Sequence, residues 1–466
     1  MSTMQLTMMA ALLTGVLPCV FADYYVAKNG QTPAGPYTSW STAASNIQDA
    51  VNAAPTNGVV WVGAGRYTLP TNAVVYDGTN VVHIYKPLSL RSSNGVPGSA
   101  VIDGEGKYRG IAVNYPYDSA NRFMIDGFTI SNCCATNKGA GIILNCGAYT
   151  ALVQNCLISD NRVVDSYARN AGGGGIHTYS TVFYIISNCT FRGNRVFHDL
   201  STGGGGGVYM QNSSSLRTGT VGRIDNCLFE SNTVWEGSGG GLQFFYYGVH
   251  EIRNTVIRGN MQTNSTGSAE LGGGGIETTY NASVQMWNCL LYNNLAAAGQ
   301  GGAIYNMKGG SSGMPLVMYN CNIVNNRTMY SGGAGGIECR LSSDSVVMYN
   351  SIVCSNASTT YTTTVDVKAY NTSFITNSCI TSTNLGFAHV SSIGAGMVTN
   401  SPAFVDFAGN DFRLAPNSPC VNTGLNQVWM YTGADLEGKS RIDKFSGRVD
   451  MGCYEYLSRG LMFKVR

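Results

Sequence analysis

Seven times between residues 155 and 356 the chain repeats a seven-residue unit that opens and closes on asparagine. The first copy reads Asn155-Cys156-Leu157-Ile158-Ser159-Asp160-Asn161. It returns at 188–194, 226–232, 254–260, 288–294, 320–326 and 350–356, with both asparagines kept every time. Successive copies start 28 to 38 residues apart, so a fixed unit alternates with spacers of variable length. Self-similarity at this period marks a solenoid, in which each repeat contacts only its neighbours. A length of 466 residues then fits one long domain, because a solenoid grows by stacking.

Alternation inside the unit decides between strand and helix. Cys156 and Ile158 fall on one face and Leu157 and Ser159 on the other. Two residues before each first asparagine stands an apolar residue: Val153, Ile186, Ile224, Ile252, Met286, Met318 and Met348. Period two, broken at a corner, predicts three short strands per repeat. Stacked at the ~4.8 Å strand spacing, about ten coils make a rod on the order of 50 Å long. The expected fold is all-β, a right-handed parallel β-helix. Asparagine suits a left-handed corner, and its amide can bond its copy one coil away. A buried amide needs such a partner, so seven recurrences imply polar ladders.

The 59 glycines cluster ahead of the repeats, as in 172–175, 203–207 and 272–275, each followed by an apolar residue. No Lys-Ser/Thr pair and no helix follows them, so a phosphate loop fails its context test. Close backbone approach at corners explains them better. At the N-terminus, residues 1–22 contain an apolar run ending in small residues, which reads as a signal peptide with a mature start at Asp23. No other stretch approaches the ~20 apolar residues of a membrane-spanning helix. Residues 23–58 are expected to form an N-terminal cap. Within it, 45–54 has the spacing of a short amphipathic helix with Ile47, Ala50, Val51 and Ala54 on one face. Residues 59–399 are assigned to the β-helix and 400–466 to an irregular C-terminal cap.

Three sets of residues carry a resemblance to known families. Gly-Gly-Ala-Ile at 301–304, with Phe191 three residues before Asn194 and Phe229 three before Asn232, resembles polymorphic outer-membrane-protein repeats. Residues 123–130 (Phe-Met-Ile-Asp-Gly-Phe-Thr-Ile) look like an early coil of pectate-lyase-like β-helices. The segments 401–406, 417–419 and 448–455 are similar to the choice-of-anchor Q end region of secreted bacterial β-helix proteins. The resemblance implies the fold and an extracellular or cell-surface location.

If Ile176 points inward, His177 points out, and the same logic one coil at a time gives an outward column. It runs Ile143, His177, Tyr209, Gln243, Glu277, Tyr305 and Glu338. Its neighbour runs Asn145, Tyr179, Gln211, Phe245, Thr279, Met307 and Arg340. Aromatics beside amides and carboxylates are the composition of a sugar-binding groove, walled by the loops 162–171, 195–202 and 261–271. Tyr179, Gln243, Phe245, Tyr305 and Arg340 are its expected substrate contacts. Two catalytic sets stand as alternatives. Glu277 and Glu338, two coils or roughly 9.6 Å apart, would be an inverting acid–base pair. His177 and Tyr209 on adjacent coils would be base and acid of a β-elimination.

Cysteines 156, 189, 227, 289 and 321 share one inward slot, which is Thr255 and Ser351 in the other copies; a reduced apolar stack is expected. The spacing lacks a zinc pattern and no cofactor is expected; calcium on scattered Asp residues stays open as an alternative, without an acidic cluster comparable to a calcium loop. A net charge of +2 without clustered Lys and Arg excludes nucleic acid as a partner class. The sequence thus leads to a secreted monomer that binds an extracellular polysaccharide or cell-surface glycan. Cleavage by a lyase or inverting hydrolase would be its enzymatic version. A non-enzymatic surface or adhesion rod is the alternative, since fold alone does not carry function.

Overall fold

The computed structural model describes residues 22–457, apart from 72, 74, 165–170, 180–182, 198–202, 212–219, 264–270, 308–314, 342–343, 359–364, 370–372 and 382–391. Residues 1–21 of the expected signal peptide lie outside the described residues. Three parallel sheets of 21, 11 and 8 strands run the length of a β-helix. Each turn crosses the first sheet either as one long strand, such as Ile142–Gln154, or as two, such as Ile176–Tyr179 and Tyr184–Ser187. It then crosses the second sheet, as in Thr190–Arg192, and the third, as in Arg195–Phe197.

Both asparagines of the unit sit at corners, but for different reasons. The first adopts the left-handed region in every copy, with φ between 48° and 53° from Asn155 to Asn350. Its amide reaches the preceding coil: Asn188 Nδ2 donates to Asn155 Oδ1 at 3.1 Å, and Asn226 Nδ2 to Asn188 Oδ1 at 2.8 Å. At the second corner the left-handed residue is the one before the asparagine, for example Asp160, Ser231 and Asn293. The second asparagine owes its place to a fully buried ladder. Asn161, Asn194, Asn232, Asn260, Asn294 and Asn326 each donate to the next Oδ1 at 2.9–3.0 Å. The ladder ends where Asn356 donates to Asp366 Oδ1 at 2.9 Å, since a carboxylate has no N–H to pass to a further coil.

Between the ladders, the inward residue of each second-sheet strand builds the core. Ile158, Phe191, Phe229, Ile257, Leu291, Ile323 and Val353 are aligned in register and buried. The rings of Phe191 and Phe229 stack 4.6 Å apart and within 1° of parallel. Each such side chain contributes about 1.5–3 kcal/mol by leaving water. The twelve described cysteines carry no disulfide. Where the shared cysteine slot becomes Thr255 or Ser351, the hydroxyl accepts the backbone N–H of Cys227 or Cys321.

At the N-terminal end the helix Ile47–Ala53 is capped by the Asn46 side chain and buries Ile47, Ala50 and Val51, with Ala54 beside them. The strand Tyr24–Val26 precedes it and pairs with Val59–Val62. Arg109, 1% exposed, fastens the segment beside this end by donating to Asp77 O at 2.6 Å and to Asn80 Oδ1 and Gly139 O at 3.0 Å.

The irregular C-terminal region lies along the flank of the last coils. On the outer face of the second sheet, Thr190/Arg192, Leu228/Glu230 and Val256/Arg258 give way to Leu290/Tyr292 and Ile352/Cys354. This apolar stretch, with Val324, packs against Phe412, Leu414, Cys420, Met451 and Cys453. Within the tail, the buried pair Arg441–Glu455 (3.1 Å) ties its loops together.

Candidate functional site

The first-sheet register runs Ile143, His177, Tyr209, Gln243, Glu277, Tyr305, Glu338 and then Lys368. His177 and Tyr209 are adjacent, with rings 4.8 Å apart, and Glu277 and Glu338 are separated by Tyr305. The expectation that this column faces solvent is corrected by its burial: His177, Tyr209, Tyr305 and Glu338 are 0% exposed, Glu277 2% and Gln243 3%. The cause is an arm of chain that doubles back beyond the third sheet. Lys138, Gly172, Gly204 and Ser238 bridge one another in parallel, as do Gly272 and Gln300. The arm presses onto the column so closely that a Cβ on Gly204 would strike the Gln243 amide, and one on Gly272 the Tyr305 ring.

Inside that second layer the carboxylates find internal partners, while His177 Nε2, Tyr209 OH and Gln243 Oε1 are buried without a hydrogen-bond partner. Glu277 accepts from Gln243 Nε2 at 2.6 Å, and burial pushes its carboxyl up to about 8. Burial also raises Glu338, against the pull of Lys368 at 2.8 Å, and Glu338 Oε2 accepts the Ala334 N–H at 2.7 Å. Burial holds the His177 imidazole well below its ordinary range, in its neutral form. For either expected catalytic set to meet a polymer, the arm would have to lift. In the neighbouring column Gln211, Phe245 and Thr279 are buried, Tyr179 is 37% exposed beneath the Lys138 ammonium, and Arg340 is exposed. The three expected wall loops begin as strands of the third sheet, and their central parts lie outside the described residues.

A different column of the first sheet does face outward. It holds the residue just before each first asparagine: Gln154, Ser187, Asp225, Arg253, Trp287, Tyr319 and Tyr349 stand in register. The Arg253 guanidinium lies over Trp287 at 4.6 Å, and Trp287, Tyr319 and Tyr349 stack at 5.6 and 5.3 Å. Glu251 takes Arg223 and Arg253 at 3.0 Å each. The sequence carried this signal in the polar or aromatic residue beside every first asparagine, but the apolar residue one step earlier drew the reading inward.

Opposite three of these rungs stands the tail loop 429–438, and between them opens a groove of about 800 Å³. One wall is Asp225-Asn226, Arg253-Asn254 and Trp287-Asn288; the other includes Trp429, Thr432, Ala434 and Asp435. Asn288 Nδ2 donates to Ala434 O at 2.6 Å and fastens the two. Asn288 Oδ1 and Arg253 Nε are buried without a hydrogen-bond partner. Asp225 accepts from Asn254 Nδ2 at 3.0 Å. The Asp435 carboxylate is occupied by the N–H groups of Glu437, Lys439 and Glu455 at 2.7–2.9 Å. The volume lies within the few hundred to about 1,000 Å³ usual for ligand sites. Among the described residues, no three His, Cys, Asp or Glu side chains are gathered as a metal site, and no helix is long and apolar enough to cross a membrane.

No family model matches the chain, and no curated protein matches it. The chain is similar to the crystal structure of pectate lyase Pel9A at 16% identity and a TM-score of 0.50, over 93% of this chain and 96% of that one. At this identity the likeness speaks to fold alone: the protein is a pectate-lyase-like, right-handed parallel β-helix.

Proposed function

We propose that this is an exported β-helix that binds a polysaccharide chain in the groove between rungs 225–288 and the tail loop 429–438. The observation that carries the reading is the composition of the groove. Two tryptophans stand among amide, carboxylate and guanidinium groups in a half-open cleft three coils long. Tryptophan offers apolar area with a polar handle, and the polar groups orient hydroxyls. The neighbour of like fold is named for a polysaccharide, pectate, which supports the class of ligand.

The groove retains its ligand without cleaving it. Glycoside hydrolysis by the usual route needs two carboxyl groups flanking the bond. Of the two that line the groove, Asp435 is 4% exposed and already accepts three backbone N–H groups, which leaves Asp225. Calorimetry against a panel of soluble polysaccharides tests the reading. Trp429→Ala should weaken the bound polymer about tenfold, in line with the loss of one aromatic contact, at an unchanged melting temperature. Full affinity in both Trp429→Ala and Trp287→Ala would place binding elsewhere. New reducing or unsaturated ends would show cleavage.

A further inference from the structure

We infer that the polymer this groove accepts is neutral, and that a polyuronate is disfavoured. The inference rests on the binding reading above and follows from the charges around the groove. A uronic-acid chain brings a carboxylate with each sugar, and each one that leaves water needs a cation or several N–H donors. The groove's described lining holds one cation, Arg253. Its guanidinium, 36% exposed, gives Nη2 to Glu251 at 3.0 Å and lays its face over Trp287 at 4.6 Å, while Nε is sealed from solvent without a partner. Arg223, one coil before, is held by the same Glu251 at 3.0 Å.

Against these two cations stand the three carboxylates of Glu251, Asp225 and Asp435, so an arriving carboxylate meets a net negative charge. The asparagine corner adds little: the Asn288 amide hydrogens go to Ala434 O and Asn254 Oδ1, and those of Asn254 include one on Asp225. Beside Arg253 the wall presents the Asp225 carboxylate, an acceptor that suits the O–H donors of a neutral sugar and repels a second carboxylate.

Chains that differ only in this charge provide the test: oligogalacturonate against its methyl ester, and a glucuronan oligomer against the glucan of equal length. The neutral member of a pair should bind about tenfold tighter, the size expected for leaving one charge poorly compensated. Asp225→Asn should narrow that gap, and added salt should narrow it for the acidic member alone. Equal or tighter binding of the acidic member would overturn the inference and leave the groove reading standing. Binding of neither member of either pair would overturn both.

Discussion

Asn232 offers the sharpest test of what holds the rod together. Its Nδ2 donates to Asn260 Oδ1 at 2.9 Å and to Phe191 O at 3.0 Å, while its Oδ1 accepts the N–H and Nδ2 of Asn194 at 3.1 and 2.9 Å. The residue is fully buried. Replacing it by glycine removes four hydrogen bonds at once. At about 1 kcal/mol each, with buried groups left unsatisfied, the loss is about 4 kcal/mol. Asn226 has φ +50° and an exposed amide bonded to Asn188. There glycine keeps the left-handed corner and forfeits about 1 kcal/mol or less. Because repeat arrays open locally, the assay is hydrogen exchange resolved by segment, backed by thermal melting. Asn232→Gly should lose protection across residues 190–260, whereas Asn226→Gly should stay near wild type. If glycine is tolerated equally at both, the second asparagine is a corner residue like the first, and the ladder argument fails.

Two further outcomes follow from buried charge. Burial raises Glu277 to about 8, above its unfolded value, so its contribution to stability is fully present below about pH 4.5 and is lost as pH climbs through 8. Glu277→Gln should therefore match wild type near pH 5 and exceed it by a few kcal/mol at pH 9; parallel melting curves across that range would refute this. Glu455, raised by burial to about 9, adds the same slope to both proteins and cancels in the difference. Above about pH 9, where Glu455 is ionised, Arg441→Met strands its carboxylate in the tail and should cost about 3–5 kcal/mol. Proteolysis should then release residues beyond 400 while the β-sheet circular dichroism persists, and adding Glu455→Gln should restore resistance; a protease-resistant single variant would show the pair to be dispensable.

The fold was legible because each coil must meet the same chemical demand at the same place. An unpaired amide in the interior is costly, so Asn161 to Asn356 could recur only if they paired, and pairing fixes the register of every strand between them. The orientation of His177, Tyr209 and Glu277 was not legible by the same logic. Period two separates two faces of a strand but does not say which of them meets water. A sheet covered on both faces reads the same near the corner as one covered on a single face. The clue lay in glycines such as Gly204 and Gly272, which mark where backbone lies directly on another residue, here the arm over the column. The docking of the tail had its signal too, in Tyr292, Val324 and Cys354 standing where earlier coils have Arg192, Glu230 and Arg258.

The position of the groove follows from a change of partner along the outer asparagine ladder. Up to Asn226 each amide serves the coil before it. From Asn288 onward the amide hydrogens turn to the tail: Asn288 to Ala434 O, Asn320 to Asp450 O at 3.1 Å, and Asn350 to Leu425 O at 2.9 Å. Asn288 makes both kinds of bond, and its Oδ1 lacks a partner because Asn320 donates to the tail in its place. The tail therefore begins to grip the rod at Asn288 and stands off from Asn254 and Asn226, one and two coils before. A cleft must open between the last free corner and the first docked one, and the outward residues there, Asp225, Arg253 and Trp287, become its wall. The groove is thus a consequence of how the rod is closed. A variant that detaches the tail should abolish binding without disturbing a single residue on the rod side of the cleft.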